Sequence, residues 1–455
     1  MPNPESMPDG YSAIISEIAI VLDGVTHPVV TQDYLTEINM QLSNKGAWTA
    51  TLRLFDATSQ TIEDLLTSKT TTGPALVKFR WGWDSTNGID AIPWFIAQVT
   101  NYELDFQTNG TMLDIHLVAN GALNTVTNRL IRSWPAGTPI NVMFTELARD
   151  NAWITIADSI VNPQFVQYAA NTLQETSTVG ESDIAFVVET LCSYALDNKG
   201  RGGFRFFFDR DNNVHFHNNY FNAPIVSDTY TVSRDPNGRV ISFKPDMSVL
   251  SAALLGMGNN VFQGFSSKDG TRLEVISSYQ TGPPNSNTAI NSDSLYNQPI
   301  GNGKSTDVHS RINFVEREPD EFAARISNQY ETLRMMAINA SLIARGSHRI
   351  NPMDRLLVTV LRPDGSQHYT SGVYFVLVVT HIFSHSNGWT TEFQLCREGT
   401  GSTPDGVEAK PDDTIQTNTD PTFFNQPNST QVPVQSSGDT PRRNLSTAEL
   451  LAGEK

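Results

Sequence analysis

From Trp48 to Phe55 the chain alternates apolar with other residues, so Trp48, Ala50, Leu52 and Leu54 share one side of an extended backbone. Successive side chains of a strand point to opposite faces, so this period is that of a strand buried on one face and not that of a helix. The pattern returns in Ala75–Trp83, where Val77, Phe79 and Trp81 share a face, and in Met112–Ala119, where Leu113, Ile115 and Leu117 do. Asn87-Gly88 and Asn109-Gly110 stand before return strands, and Asn-Gly is the dipeptide best suited to a tight hairpin. Glu17–Leu22 and Tyr34–Leu42 alternate loosely, Trp94–Val99 runs on to Phe106, and Thr61–Thr67 has room for a helical turn. Residues 11–125 therefore read as a closed or nearly closed antiparallel barrel.

Composition points the same way. Charged residues make up 17% of the chain, against roughly 25% in an average soluble domain. Helix-rich chains carry Glu, Lys and Arg for their propensity and their i,i+4 pairs. Here Asn, Ser, Thr, Gln and Gly fill that place beside 23 Phe, a composition of strands and turns. The net charge of −17 argues against a sequence-independent nucleic-acid binder, which needs cations on phosphates. It allows a surface that nucleic acid slides past. A length of 455 residues suggests two to four domains. No apolar run approaches the ~18 residues of a spanning helix. The first ten residues carry Glu5 and Asp9 and no basic region, so no signal peptide is expected.

After residue 126 the texture changes. Thr138-Pro139 reads as an N-cap with Pro at the first helical position, followed by Ile140, Phe144, Leu147 and Ala148 at helical spacing. Ser182 heads a second amphipathic helix to Ala195, with Asp183 suited to its positive end. Phe204–Phe208 and Val214–Phe216 form a strand–turn–strand, so 126–225 is expected to be an α+β middle domain. Residues 226–398 carry strands near Tyr230 and at Ala337–Ala344, Arg355–Leu361, Val373–Phe383 and Thr390–Arg397. They also contain a helix at Asp320–Met335 and a polar insertion around 256–304 that reads as an elaborated loop. Residues 399–455 hold six prolines and few aliphatic residues, which predicts an extended polar tail.

Isolated motifs give no chemistry. Gly301-Asn-Gly-Lys-Ser-Thr306 suggests a phosphate loop, but Gln298 stands where that motif needs Gly, so it reads as a loop. His215 with His217, and His381 with His385, share strand faces but lack a third ligand for metal. Asp209-Arg-Asp211-Asn-Asn213 lacks the Gly and Glu of a calcium loop and reads as a hairpin turn. Cys192 and Cys396 are expected to be buried free thiols. No catalytic, cofactor-binding or metal-binding residue is assigned, and the chain is expected not to be an enzyme.

Five segments in order carry a resemblance: Trp48–Asp56; Val77-Lys-Phe-Arg-Trp-Gly82; Phe95-Ile-Ala-Gln-Val99 with the strand ending Ala119-Asn-Gly121; Glu181–Phe186 with Gly202-Gly-Phe-Arg-Phe206; and Gly372–Val376 leading to Thr380-His381 and Trp389–Leu395. Together they resemble the central hub of contractile-tail baseplates, the family of phage late-control protein D, the T-even-type hub and the hub part of VgrG. The resemblance spans residues 11–398. It implies a mainly β fold with an α+β insertion and two tube-type antiparallel β-barrels per chain, at 11–125 and 226–398. Three chains would then form a pseudo-sixfold ring that adapts the sixfold tail tube to the threefold spike and lines the channel for tape measure and DNA. Implied partners are further copies of the chain, tail tube protein, central spike protein, tape measure protein, and other baseplate proteins reached by 399–455 through Phe423, Phe424 and Leu445–Leu451. DNA would pass without specific binding, and the place of action would be the virion tail. A tail-associated peptidoglycan-degrading enzyme and the hub of a VgrG-type secretion spike are the alternatives.

Overall fold

A computed structural model of the chain describes residues 14–22, 25–30, 35–56, 75–83, 92–123, 132–135, 137–155, 172–173, 176–177, 182–195, 202–218, 225–232, 238–247, 259–266, 272–278, 308–316, 325, 328, 338–384 and 388–397. The strands before the middle unit are β1 (Ile14–Leu22), β2 (Val25–Val30), β3 (Leu35–Ser43), β4 (Thr49–Asp56), β5 (Leu76–Trp83), β6 (Phe95–Gln107) and β7 (Gly110–Ala119). Those after it are β15 (Ile225–Val232), β16 (Val240–Met247), β20 (Ile338–Arg345), β21 (Arg355–Val360), β22 (Gly372–Ser384) and β23 (Gly388–Arg397). The predicted alternation is realised as burial. Trp48, Ala50, Leu52 and Leu54, with Leu113, Ile115 and Leu117 opposite them, are all buried. Asn109-Gly110 turns β6 into β7, with Gly110 at φ 149°. Asn87-Gly88 lies outside the described residues.

These strands form one thirteen-stranded sheet, in the order β16-β20-β23-β22-β3-β4-β7-β6-β5-β1-β2, with β21 branching from β22 and pairing β15. In place of the closed or nearly closed barrel expected at 11–125 and the second barrel expected at 226–398, these described strands form one open sheet. Among the described residues no ladder closes either half on itself. Instead the halves merge through antiparallel β22 and β3, from Val378↔Ser43 to Ser384↔Glu37. The physical reason is length. β22 has thirteen residues, β21 pairs only with Gly372–Phe375, and the remaining edge is taken by β3.

The two halves repeat one topology. β3-β4-β7-β6-β5-β1 and β16-β20-β23-β22-β21-β15 have their strands in the same order along chain and sheet. β6 and β22 are both thirteen residues long, and β7 and β23 are both ten. Each long strand carries a register shift at the same place, between Val99 and Asn101 and between Val376 and Val378. The halves differ where β1 meets β5 antiparallel and β15 meets β21 parallel.

The middle unit holds two helices and short strands. α1 (Ile140–Asp150) buries Ile140, Met143, Phe144, Leu147 and Ala148. Pro139 is its N-cap, not its first helical residue, and Thr138 Oγ1 donates to Pro135 O instead of capping. Thr138–Pro139 (β9) pairs with Thr172–Leu173 (β11), and Ser133–Trp134 (β8) with Thr176–Ser177 (β12). α2 runs through Asp183–Ala185, a π-helical Phe186–Leu191 and Cys192–Tyr194. Ser182 caps it, accepting from Ala185 N at 3.2 Å. Ile154–Thr155 (β10), Asn213–His217 (β14) and Arg205–Phe208 (β13) make a small sheet that docks on the large one where Gly46 N donates to Phe206 O at 2.7 Å. Gly46 has φ +86°, a left-handed conformation that favours glycine.

The insertion expected to be loop contains strands. β17 (Asn259–Ser266) and β18 (Arg272–Ser278) pair as a hairpin, and β17 also pairs with β19 (Val308–Glu316). Of the helix expected at Asp320–Met335, only Arg325 and Asn328 are described, and both are helical. One continuous hydrophobic core joins both halves to the middle unit, from Trp48, Phe79 and Phe95 through Phe144 and Phe216 to Tyr230 and Phe393.

Candidate functional site: a polar sheet face over a sealed seam

The sheet from β16 to β6 has one face in the core and one in solvent, as its alternation requires. The solvent face carries Glu37, Glu103, Asp105, Asp114, Asp246 and Glu392 against Arg53, Lys244 and Arg345. It is therefore net acidic. Arg53 organises its middle. Its guanidinium takes both oxygens of Asp114, at 2.8 and 2.9 Å, and Glu37 Oε2 at 3.1 Å. The hydrogen-bonded Asp114 carboxylate raises the Arg53 pKa further above its ordinary value. Beside it Thr51 Oγ1 lies 3.2 Å from His116 Nδ1, and His116 Nε2 lies 3.3 Å from Glu103. All these groups face one another across neighbouring strands.

Beneath the face, aromatic rings seal the seam between the halves. His348 packs 4.3 Å from both Trp81 and Trp389, and 5.2 Å from His381. His348 Nε2 donates to the Trp81 carbonyl at 2.6 Å, because a carbonyl only accepts. His381 Nδ1 meets Thr391 Oγ1 at 3.1 Å. Burial pushes His348 well below the usual imidazole range and His381 down to about 3, so both are neutral. Trp83 Nε1 donates to Gly346 O at 2.9 Å, and a Cβ at Gly346 would come within 1.9 Å of Trp389. Nearby, buried Asp228 receives Ser347 Oγ, Arg239 and Arg349. His385 lies outside the described residues.

The Asp209–Asn213 segment is the hairpin turn expected of it. Asp209 Oδ1 accepts from Asp211 N and Asn213 N, and Asn212 adopts φ 63°. Asp209 Oδ2 meets His215 Nε2 at 3.1 Å, and His215 stacks on Phe207 at 4.5 Å. Burial takes His217 down to about 4 and Asp354 up to about 6. Arg210 reaches from this turn to His348 O at 2.6 Å, tying it to the seam. Among the described residues no group of three His, Cys, Asp or Glu side chains is placed to hold a metal ion. Cys192 and Cys396 are buried free thiols, and burial pushes the Cys192 thiol up to about 12.

A cleft of about 580 Å³ lies beside α2, lined by Lys45, Glu189, Cys192, Arg205, Arg325 and Asn328. Burial, with Arg205 nearby, lowers the Lys45 pKa. Asn328 is its keystone. Its Oδ1 accepts from Gly203 N at 2.6 Å, and its Nδ2 donates to Ser193 O and Ala195 O. Gly301–Thr306, Phe423, Phe424 and Leu445–Leu451 lie outside the described residues. Sequence reading missed the Arg53 fork, the cleft and the seam, whose members sit tens to hundreds of residues apart. The alternation did carry one signal: it places Arg53 on the solvent face of β4.

No protein-family model and no curated protein matches the chain. Solved structures do match it in fold. The tail protein from Neisseria meningitidis MC58 superposes with a TM-score of 0.50 at 11% identity, over 86% of this chain and 99% of its own. The prophage MuSo2 43 kDa tail protein from Shewanella oneidensis superposes with a TM-score of 0.51 at 10% identity, over 86% of this chain and 100% of its own. No described helix is long and apolar enough to cross a membrane. With its duplicated, mainly β architecture, the chain has the fold of these phage tail proteins, in keeping with the baseplate-hub resemblance of its sequence.

Proposed function

We propose that the chain is a structural, non-catalytic hub of a phage tail baseplate. Three copies form a ring that adapts the sixfold tail tube to the threefold spike. The observation that carries this reading is the duplication. Two equivalent six-stranded units per chain give six units in three chains, so one ring presents sixfold and threefold symmetry together. The acidic solvent face of the sheet suits a channel wall that repels phosphate and lets DNA and the tape measure pass. Tail tube, spike and tape measure proteins are the partners, and residues 399–455 reach other baseplate proteins. The place of action is the virion tail.

Electron microscopy of the purified full-length protein tests this. The expected image is a threefold ring with a central pore and carboxylates on its lumen. A basic lumen would remove the channel-wall argument. Clearing of bacterial cell wall in a zymogram would replace the structural reading with that of a peptidoglycan-degrading enzyme.

A further inference from the structure

Among the described residues the duplicated topology fills one strand seam and leaves its equivalent open. In the filled seam, β22 extends past β21 and its distal Val378–Ser384 pairs with β3. β6 is built the same way. Only Phe95–Gln98 pairs with β5, and no described strand pairs with the outer edge of Asn101–Gln107. β16, the counterpart of β3, ends the sheet: β20 takes its inner edge and no described strand takes the outer one.

Register shifts fix the equivalence residue by residue. β3 shifts between Leu35 and Glu37, and β16 between Val240 and Ser242. β6 and β22 shift at their own matching positions. Aligned on these, Phe106 takes the place of Phe383 and Phe243 that of Ile38, two residues that oppose each other in the filled seam.

We infer that the free edge of β6 in one copy of the chain pairs antiparallel with the free edge of β16 in a second copy. The register is Leu104↔Pro245, Asp105↔Lys244 and Phe106↔Phe243. This deepens the ring reading above and rests on it. Phe106 is 76% exposed and Leu104 43% exposed, yet both lie on the face that Leu113 and Ile115 turn into the core. A second copy's β16 brings Pro245 and Phe243 opposite them and sets Lys244 across from Asp105. A bare strand edge is a ready template for main-chain pairing. Pro245 and Lys244 are residues that discourage indiscriminate strands at such an edge, so the match selects its complement. Six strands separate β6 from β16 within a chain. The contact is therefore head-to-tail and generates a ring when the rotation closes.

The test uses the full-length chain carrying Asp105→Cys with Lys244→Cys under mild oxidation, read on a non-reducing gel and by light scattering. The natural Cys192 and Cys396 are buried and add little background. The expected result is interchain-linked oligomers for this pair, and several-fold less linkage for the out-of-register pair Asp105→Cys with Asp246→Cys. In the uncrosslinked protein, Asp105→Lys is expected to weaken association several-fold, and adding Lys244→Asp to restore it. Oligomers by light scattering without preferential linkage overturn this pairing and leave the ring reading standing. A chain that stays monomeric at all concentrations overturns both.

Discussion

His381 sits fully enclosed between Trp81, His348 and Trp389, where a charge is costly. Its folded pKa of about 3, and that of about 4 at His217, lie below the ordinary 6.5. The unfolded chain therefore takes up protons that the fold refuses. Stability from these residues is present above pH 6.5 and is lost as pH falls toward 3. Asp354 runs the other way. Its folded pKa of about 6 exceeds the ordinary 3.8, so its contribution is favourable at low pH and is lost as pH rises through 6. Asp354→Asn keeps an oxygen to accept from Asn351 N and removes the buried charge. It is expected to raise stability at pH 8 by about 1–3 kcal/mol and to change little at pH 3.5. Denaturant titrations at the two pH values check this, and an equal shift at both would mean that burial of charge is not the cause. None of this was legible in the sequence, where nothing at His381 in the apolar strand Val373–Phe383, or at Asp354 just before Arg355–Leu361, marks a shifted pKa.

The hairpins β6–β7 and β22–β23 show what a sequence does reveal and what it hides. Alternation exposed β4 and β7 because one face of each is wetter than the other, and β5 because Lys78 and Arg80 alternate with Val77, Phe79 and Trp81. Both ten-residue return strands begin with Gly after Asn, at Asn109-Gly110 and Asn387-Gly388. That repeated turn was the one written trace of the duplication. The rest was hidden because the copies share backbone registers and not residues: Glu103 corresponds to Thr380 and Leu104 to His381. β2 escaped notice because Pro28 interrupts a short strand, and Pro is tolerated on a strand at the sheet's edge, where β2 lies. The turn glycines also separate by geometry. Gly388 at φ +77° is left-handed, so Gly388→Ala is expected to cost about 1–2 kcal/mol. Gly110 at φ 149° lies in a region that side chains rarely enter, so Gly110→Ala is expected to cost about 1–3 kcal/mol. Thermal midpoints of the two variants read both, and a neutral Gly110→Ala would show that the turn relaxes freely.

The merging of the halves decides how the whole molecule unfolds. Residues 226–398 contain a complete six-stranded copy of the repeated unit, which by itself suggests an independent domain. Two features oppose that. Without β3, seven residues of β22 from Val378 to Ser384 lose their outer strand. Without β5 and β6, the rings of His348 and Trp389 lose Trp81 and Phe95, which pack against them at 4.3 to 5.9 Å. The fragment would then expose neutral buried imidazoles and a tryptophan together, whose combined desolvation favours the folded state only when both halves are present. The expected outcome is that 226–398 expressed alone lacks near-ultraviolet circular dichroism and fixed side-chain signals. Added 1–225 should restore them in a one-to-one complex. Trp81→Ala in the full chain should lower stability by about 3–5 kcal/mol and still leave a single unfolding transition. A folded 226–398 fragment, or two resolved transitions in the intact chain, would show that β3 and β22 are a contact between independent units and not a structural joint.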